Sequence, residues 1–238
     1  LGHGSSGWGP WDEAGERFGM KMKPFAEAVV ALGAKPGLWY RPLKHFRGDP
    51  TRRVVAETVA GDIALFRKWG VELLKIDFLT HDWNHRWNLR GETPVEADDL
   101  HWSDRSRTTA ETVLGLYRTM REAAGDDTVI IGCNAIDHFA AGLFEVQRTG
   151  RDTSGRSWQK TAECGVNALG MRNMMNGTFY AADPDCVGLA EAGAVPWERN
   201  RDWLELIARS KSPLFFSWRR SRRARCSSAA TTLRSGSI

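Results

Sequence analysis

Apolar residues recur along this chain at two spacings, and the two spacings alternate. The spacing of amphipathic helices occurs in residues 25–32, 52–69, 106–124, 158–172 and 203–209. Short runs that are apolar on both faces lie between them, at residues 38–40, 71–79, 128–132, 143–147, 177–181 and 213–217. Such strands, alternating with helices, are typical of parallel βα units in which helices cover both faces of a sheet. The pattern predicts an α/β fold with six parallel strands.

Two architectures are compatible with six strands. A doubly wound sheet can use six, whereas a TIM barrel needs eight and requires that one or two be missing. No GxGxxG or GxxxxGK[ST] motif follows any of the runs, which counts against a nucleotide-binding α/β fold. No apolar stretch reaches eighteen residues, so the sequence predicts no transmembrane helix and no membrane partner.

Polar residues at the carboxyl ends of parallel strands are the first candidates for chemistry, because active sites form at that edge. Lys75 and Asp77 alternate within an otherwise apolar run, so their side chains point to the same side of the strand. Burying two charges is costly unless they are paired or used. Two interpretations stay open: a structural Lys–Asp pair, and a reactive aspartate whose charged form Lys75 favours.

Later strand ends offer further carboxylates. Arg148 precedes Asp152 by four residues, and Asp183-Pro-Asp185 follows the next run. Asp152 is also compatible with an Asx turn or a helix N-cap, and Asp-Pro is common in turns. Two carboxylates on either side of a site support cleavage of a glycosidic bond. Tryptophan faces stack on sugar rings, and Arg and Lys donate hydrogen bonds to hydroxyls, so the 11 Trp of this chain fit a sugar site.

Taken in order, these residues resemble the α-galactosidase clan of glycoside hydrolases, families 27 and 36. The resemblance rests on Lys75-Ile-Asp77, Cys133, the Arg148 to Asp152 spacing and Asp183-Pro-Asp185. Residues 35–42, Lys-Pro-Gly-Leu-Trp-Tyr-Arg-Pro, are similar to the third barrel strand of that clan, and the likeness extends over residues 7–217. It implies a (β/α)8 TIM barrel that is incomplete, with about strands 3 to 8 present.

The resemblance also implies a mechanism and a set of roles. The enzyme would be a retaining glycosidase that cleaves terminal α-galactosides or related glycosides by double displacement, with the carboxyl groups about 5–5.5 Å apart. Asp77 would be the nucleophile and Asp152 the general acid/base. The implied substrate-binding residues are Trp39 and Cys133 in the pocket, Lys75 and Arg148 on sugar hydroxyls, and Trp158 at the mouth.

The sugar is left open. In the clan, an Asp-Asp-Gly-Trp-like motif on the second strand grips the distal hydroxyls of galactose, and this chain lacks that strand. Cleavage of α-N-acetylgalactosaminides, β-L-arabinopyranosides or α-glucosides therefore remains compatible with the sequence. A different hypothesis is a carbohydrate-binding remnant without catalysis, because a barrel missing two strands exposes sheet edges.

No cofactor or metal is expected. His81 and His85 are four residues apart, but they fall in a predicted loop without a third ligand. Trp83, Trp87 and Trp102 in the same loop either pack on the barrel rim or form an aglycone platform. The expected partner is an oligosaccharide or glycoside, and the oligomeric state is left open.

The charge is concentrated at one end. The chain carries a net charge of +4, but residues 219–238 hold six Arg and no acidic residue, so residues 1–218 carry 27 basic against 29 acidic side chains. A basic protein invites a nucleic-acid role, but here the excess belongs to the tail. We therefore divide the chain into a partial catalytic domain, residues 1–218, and a basic low-complexity tail, residues 219–238. The tail is compatible with a nucleic-acid arm or a disordered extension. The abrupt change to Arg, Ser and Ala favours a third hypothesis, that the tail is translated out of frame, and we expect no nucleic-acid partner.

The ends and the cysteines complete the expectations. The chain begins at Leu1 rather than Met, which predicts a fragment of a longer protein. Its first residues lack the features of a signal peptide, but in a fragment this says little about the parent protein. Four widely spaced cysteines without a CxxC pair predict neither a zinc site nor a disulfide scaffold, and they slightly favour the cytoplasm.

Overall fold

The structure is a computed structural model that describes residues 20–43, 49–79, 102–153, 157–188 and 195–217. Its strands are β1 (Gly37–Tyr40), β2 (Leu73–Ile76), β3 (Val129–Gly132), β4 (Val146–Arg148), β5 (Ala181–Asp183), β6 (Cys186–Gly188) and β7 (Phe215–Ser217). Its α-helices are α1 (Met22–Ala31), α2 (Arg53–Lys68), α3 (Thr109–Ala124), α4 (Asp137–Ala140), α5 (Trp158–Thr161), α6 (Asn167–Arg172) and α7 (Trp197–Arg209). A π-helical turn, Ala162–Val166, joins α5 to α6, and a 3-10 turn, Asn173–Met175, follows α6.

The strands form parallel sheets. β1 to β5 pair in chain order, and β6 pairs with β7, all in parallel. The predicted α/β class with a parallel sheet is therefore confirmed. Within the described residues the strands form a five-stranded and a two-stranded sheet and do not close into a barrel.

β5 and β6 are two halves of one run, interrupted by Pro184 and Asp185. Pro184 has no N–H to give to a ladder, and Asp185 has a φ of 73°. β5 pairs with β4, whereas β6 pairs with β7, so this run leads from the larger sheet to the smaller one. The strand predicted at residues 177–181 was placed too early: Gly177 has a φ of 75° and begins a turn, and the strand starts only at Ala181.

The larger core lies between β1–β3 and helices α2 and α3. α2 presents Val55, Val59, Ile63 and Phe66 at helical spacing, and all four are fully buried. Burial of each such side chain contributes about 1.5–3 kcal/mol. The helix ends at Lys68 with Trp69 as its C-cap, and Gly70 follows with a φ of 83°, a conformation that glycine adopts without strain.

α3 begins one turn later than the spacing predicted because Thr108 caps it. The Thr108 hydroxyl accepts from the Glu111 N–H, and the Glu111 carboxylate accepts from the Thr108 N–H. This reciprocal capping box satisfies two amide donors that helix geometry leaves without partners. α7 is longer than predicted because its first two turns are largely polar and exposed, which leaves only Trp203 and Ile207 to show the helical spacing.

The helix predicted over residues 158–172 is present, with the π-helical turn inside it. Gly165 lies in that turn, and a Cβ there would come within 2.8 Å of the Trp203 ring. The glycine therefore lets this helix approach α7 closely. A second, smaller core forms here from Leu169, Ala182, Val187, Trp203 and Ile207.

Several predictions fall outside the described residues, namely His81, His85, Trp83, Trp87 and the tail. Trp102 is described: it is 7% exposed and packs in the larger core, which supports the packing interpretation for that residue. Among the helices that the structure describes, none is long and apolar enough to cross a membrane.

Candidate active site

Three predicted site residues meet at the carboxyl ends of β1 and β2. Trp39 and Lys75 are register partners on these strands, and Asp77 follows β2 directly. The alternation of burial along β2 directs Leu74 and Ile76 into the larger core. Lys75 and Asp77 therefore lie on the opposite face, as the period-2 pattern predicted.

The carboxylate of Asp77 is held by three donors. Trp39 Nε1 donates to Asp77 Oδ2 at 2.9 Å. Asn134 Nδ2 and the Phe78 N–H donate to Asp77 Oδ1 at 2.6 and 2.7 Å. Because a carboxylate oxygen has two lone pairs, the described contacts fill Oδ1 and leave one acceptor position on Oδ2. Asp77 is 9% exposed, so this group is oriented and largely enclosed.

Two residues next to this site have unusual backbone geometry. Phe78 has a φ of 62° and Asn134 a φ of 52°. The left-handed region is uncommon for an aromatic residue and is better tolerated by asparagine. Phe78 packs edge-on against Trp39 with ring centroids 6.0 Å apart, and the Arg41 guanidinium lies 4.3 Å from the Phe78 ring centroid. Backbone strain of this kind concentrates at functional sites.

The structural Lys75–Asp77 pair, one of the two interpretations left open, is not formed: Lys75 makes no ion pair within 4.0 Å with any residue that the structure describes. The donors on Asp77 are instead neutral groups from Trp39, Phe78 and Asn134. Lys75 exerts its charge on Asp183, where burial raises the pKa of the carboxyl above its ordinary value while Arg148 and Lys75 oppose that rise.

A second group of site residues surrounds Arg148 at the end of β4. The guanidinium is buried; its Nη2 donates to Asp152 Oδ1 at 2.8 Å, and its Nη1 lies 3.9 Å from Cys133 Sγ. Asp152 itself is exposed, with 87% of its side chain accessible. The structure thus brings Cys133, Arg148 and Asp152 together, as the sequence predicted.

Arg148 also contacts Asp185. Its Nη2 lies 2.7 Å from Asp185 Oδ2. Burial opposes a charge on Arg148, but the carboxylates of Asp185 and Asp183 outweigh it and raise the pKa of the guanidinium. Burial likewise favours the neutral form of Asp185, but Arg148 and the Thr153 N–H prevail and lower the pKa of this carboxyl. The buried pair is therefore ionised.

The two groups are neighbours. Asn134 contacts Asp77, and the adjacent Cys133 contacts Arg148. A cleft of about 550 Å³ opens on the Arg148 side; its lining includes Cys133, Asn134, Arg148 and Asp152. The described lining does not include Asp77, Trp39 or Lys75. The cleft is therefore connected to the Asp77 group through Asn134, which donates to the Asp77 carboxylate.

Trp158 has no described contact with either group. It packs against the smaller core at the start of α5, and the Arg199 guanidinium lies 5.2 Å from the centroid of its ring. Trp158 is not among the described residues that line the cleft.

The described cysteines do not offer a reactive thiolate. Burial raises the pKa of Cys133 and that of Cys186 to about 12, so both thiols stay protonated at neutral pH. Across the described ranges, no group of three His, Cys, Asp or Glu side chains is arranged to hold a metal ion.

Asn134 and Asp185 were not among the predicted site residues. Asn134 directly follows Cys133 at a strand end, and Asp185 ends the Asp-Pro-Asp motif, so both positions were visible in the sequence. Their roles depend on a left-handed backbone that aims each side chain back at its partner. The sequence offers that signal only weakly, because asparagine and aspartate tolerate this region in many turns.

Comparison with solved structures identifies chains of similar fold. The α-galactosidase TtGalA from Thermus thermophilus, in complex with stachyose, is 17% identical with a TM-score of 0.59, and the match covers 82% of this chain and 48% of that one. The family 27 β-L-arabinopyranosidase of Geobacillus stearothermophilus is 14% identical with a TM-score of 0.61, covering 83% and 52%. The isomalto-dextranase of Arthrobacter globiformis T6, complexed with panose, is 18% identical with a TM-score of 0.59, covering 90% and 44%.

These comparisons confirm the fold-level resemblance to the α-galactosidase clan. No protein-family model matches the sequence. The chain spans about half the length of the structures it matches.

Proposed function

We propose that this chain carries the catalytic site of a retaining glycoside hydrolase that acts on terminal α-galactosides or related glycosides. The observation that carries the proposal is that the adjacent residues Cys133 and Asn134 connect two carboxylate sites. Asn134 bonds to Asp77, and Cys133 contacts Arg148, which bonds to Asp152. The shared fold with an α-galactosidase and an arabinopyranosidase supports this choice of substrate class.

In the proposed first step, Asp77 Oδ2 attacks the anomeric carbon. This oxygen is the one that keeps a free acceptor position in the described structure. The bond between the anomeric carbon and the leaving oxygen breaks, and protonated Asp152 gives its proton to that oxygen. A glycosyl ester on Asp77 and a free alcohol result.

In the second step, the Asp152 carboxylate takes a proton from water, and the water oxygen attacks the anomeric carbon. The ester bond breaks and the electron pair returns to Asp77, which restores both side chains to their starting state. Two inversions at one carbon leave the configuration of the sugar unchanged. An exposed Asp152 suits this exchange of protons with water and leaving group.

The other site residues orient the sugar in this proposal. Lys75, which has no ion-pair partner among the described residues, donates to sugar hydroxyls beside Asp77. Arg148 does so beside Asp152. Trp39 and Cys133 line the pocket, and Trp158 contributes at most to its outer wall. We assign this activity to residues 1–218 and no catalytic role to residues 219–238. In this assignment β1 to β4, the interrupted run of β5 and β6, and β7 are barrel strands 3 to 8.

The stereochemistry of the product tests the proposal. The chain is incubated with p-nitrophenyl α-galactoside, and the first-formed sugar is observed by proton NMR before mutarotation. Initial formation of the α-anomer supports the proposal, and initial formation of the β-anomer contradicts a double displacement.

A second candidate function is sugar binding without hydrolysis. It is favoured by the open sheet of the described residues, in which Phe216 of β7 is 52% exposed. Saturation-transfer NMR with galactose and isothermal titration separate the two candidates. Binding with no release of p-nitrophenol over hours favours the binding function, whereas turnover favours the hydrolase.

A further inference from the structure

We infer that Asp185 is a positioning residue that fixes both Arg148 and the segment carrying Asp152. The inference rests on the proposed function for its catalytic meaning, because Asp152 is the proposed general acid/base. Its geometric basis is one buried oxygen, Asp185 Oδ2, which contacts both Arg148 at the end of β4 and Thr153 in the segment after that strand.

The first contact of Asp185 is with Arg148. Asp185 Oδ2 lies 2.7 Å from Arg148 Nη2, and both side chains are more than nine-tenths buried. The same Nη2 donates to Asp152 Oδ1 at 2.8 Å. The guanidinium is therefore held between a buried carboxylate that fixes it and an exposed one that it orients.

The second contact of Asp185 is with Thr153, the residue after Asp152. The Thr153 N–H donates to the same Oδ2 at 2.6 Å, and the Thr153 hydroxyl donates to the Cys186 carbonyl at 2.7 Å. Thr153 is almost fully buried, whereas its neighbour Asp152 is exposed. Asp152 thus stands on a backbone that is anchored one residue away.

The backbone of Asp185 makes both contacts feasible. Its φ of 73° turns the chain back after Pro184, and its own N–H donates to Asp183 Oδ1 at 2.7 Å. Aspartate and asparagine tolerate this region better than other residues that carry a Cβ. Asp185→Asn therefore keeps the turn while it removes the charge and one of the two acceptor oxygens, which makes it a test of the ion pair.

The consequence concerns a specific part of the reaction. With Asp185 neutral, the charge-assisted contact with Arg148 is lost and the Thr153 N–H bond weakens. Asp152 then loses its fixed position relative to the leaving oxygen. A poor leaving group depends most on proton donation, so the loss of kcat/KM in Asp185→Asn should be largest for substrates with such a group. A general loss of folding would lower kcat/KM equally for all substrates.

The test compares two substrates for each variant. Values of kcat/KM are measured for methyl α-galactoside, a poor leaving group, and for p-nitrophenyl α-galactoside, a good one. For Asp185→Asn we expect a loss of roughly ten- to a hundred-fold with the methyl glycoside and less than about threefold with the aryl glycoside. Asp152→Asn shows the same selectivity with a larger loss. Equal losses on both substrates for Asp185→Asn, or no loss on either, would overturn the inference.

Asp62→Asn is the matched control. Asp62 Oδ2 accepts a hydrogen bond from the Tyr40 hydroxyl at 2.8 Å, and the Tyr40 ring packs against Phe66 in the larger core. This variant also removes a carboxylate that accepts a partly buried hydrogen bond, so it controls for a loss of stability. We expect the ratio of the two kcat/KM values to stay at its wild-type level, and a shift equal to that of Asp185→Asn contradicts the inference.

A second readout does not depend on the proposed function. Amide hydrogen exchange at Thr153 is compared between wild type and Asp185→Asn, with the Cys133 N–H, bonded to the Ile76 carbonyl at 2.8 Å, as internal reference. We expect faster exchange at Thr153 and no change at Cys133. Unchanged exchange at Thr153 overturns the inference even if the wild-type chain cleaves neither substrate, which would itself count against the hydrolase.

Thr153→Val provides a variant for the case in which Asp185→Asn does not fold. It removes the hydroxyl that bonds Cys186 and leaves the ion pair of Asp185 with Arg148 in place. We expect the same preference for loss on the methyl glycoside, by a smaller factor. A uniform loss on both substrates contradicts the inference here as well.

Discussion

The two carboxylates of the candidate site are held in opposite ways. Asp77 stands at the end of a strand in the larger core, is almost buried, and accepts hydrogen bonds directly from Trp39, Phe78 and Asn134. Asp152 stands on a segment over the smaller core, is exposed, and is reached by Arg148 from a buried ion pair.

The difference matches the chemistry proposed for each. A nucleophile must present one atom at a fixed place, which a rigid strand end and neutral donors provide. A general acid/base must exchange protons with water and the leaving group, which requires exposure. In this structure, hydrogen bonds from neutral donors fix the first carboxylate, and a network of charges fixes the second.

The largest effect is expected at Asp77. Asp77→Ala removes the proposed nucleophile, and we expect kcat with p-nitrophenyl α-galactoside to fall at least about a thousand-fold. Added azide should restore turnover and yield a glycosyl azide, because a small anion fits the space of the lost carboxylate. Wild-type activity in this variant would refute the assignment.

We expect the larger core to contribute more to stability than the smaller one, and one isoleucine truncation in each core measures the difference. Ile63→Ala on α2 and Ile207→Ala on α7 each truncate a fully buried isoleucine. We expect both to lower the free energy of unfolding by about 2–5 kcal/mol. Ile63→Ala should lie at the upper end because Ile63 belongs to the larger cluster of buried side chains. Urea unfolding checks this, and a larger loss for Ile207→Ala would reverse the comparison.

Trp39→Phe tests the neutral donors on Asp77. The variant keeps an aromatic ring against Phe78 but loses the Nε1 donor to Asp77 Oδ2. We expect kcat to fall about ten- to a hundred-fold while the stability falls by only about 1 kcal/mol. Steady-state kinetics and urea unfolding on one preparation separate the two effects. An unchanged kcat would show that this hydrogen bond does not orient the nucleophile.

The pH dependence of stability distinguishes Asp183 from Asp185, because folding raises the pKa of the first and lowers that of the second. Because folding lowers the pKa of Asp185, its contribution to stability is present above the unfolded pKa and is lost as the pH falls through the folded pKa. The stability gap between wild type and Asp185→Asn should therefore be largest near pH 7 and shrink toward pH 3.

Burial raises the pKa of Asp183, so its ionised form opposes folding once the pH rises through the unfolded pKa. The cost is complete above the folded pKa. The stability of Asp183→Asn relative to that of wild type should therefore be higher near pH 7 than at pH 3. Parallel pH dependences for the two variants would contradict these opposite assignments.

The smallest effect is expected at the capping box of α3, whose described hydrogen bonds join Thr108 to Glu111 and reach neither carboxylate. Thr108→Ala removes the hydroxyl that accepts from the Glu111 N–H, and we expect a loss of about 1 kcal/mol in stability with unchanged kcat. Thermal unfolding and kinetics check this, with Thr108→Ser as the control that keeps the cap. A fall in kcat would show that the site depends on distant elements of the larger core.

Much of the larger core was readable from the sequence because its signals are local. The spacing of Val55, Val59, Ile63 and Phe66 predicted α2, and the alternation in residues 71–79 placed Asp77 and Lys75 on one face. The smaller sheet was less readable, because Pro184 and Asp185 divide a short run into two strands.

The contacts of the charged groups were the part that the sequence did not determine. Lys75 and Asp77 are close along the chain, yet the described structure gives Asp77 neutral donors, and the charge of Lys75 opposes the rise in the pKa of Asp183. Arg148 and Asp152 were predicted together, but the buried partner of Arg148 is Asp185, 37 residues away. Which charges pair depends on side-chain directions at several strand ends at once, and one strand's pattern does not record them.

The identity of the nucleophile is tested most directly by trapping the intermediate. The wild-type chain is treated with 2-deoxy-2-fluoro-α-galactosyl fluoride or its 5-fluoro analogue, digested, and mapped by mass spectrometry. We expect one fluorosugar ester, on the peptide carrying Asp77, that disappears in Asp77→Ala. A label on Asp152, Asp183 or Asp185 with Asp77 unmodified would contradict it.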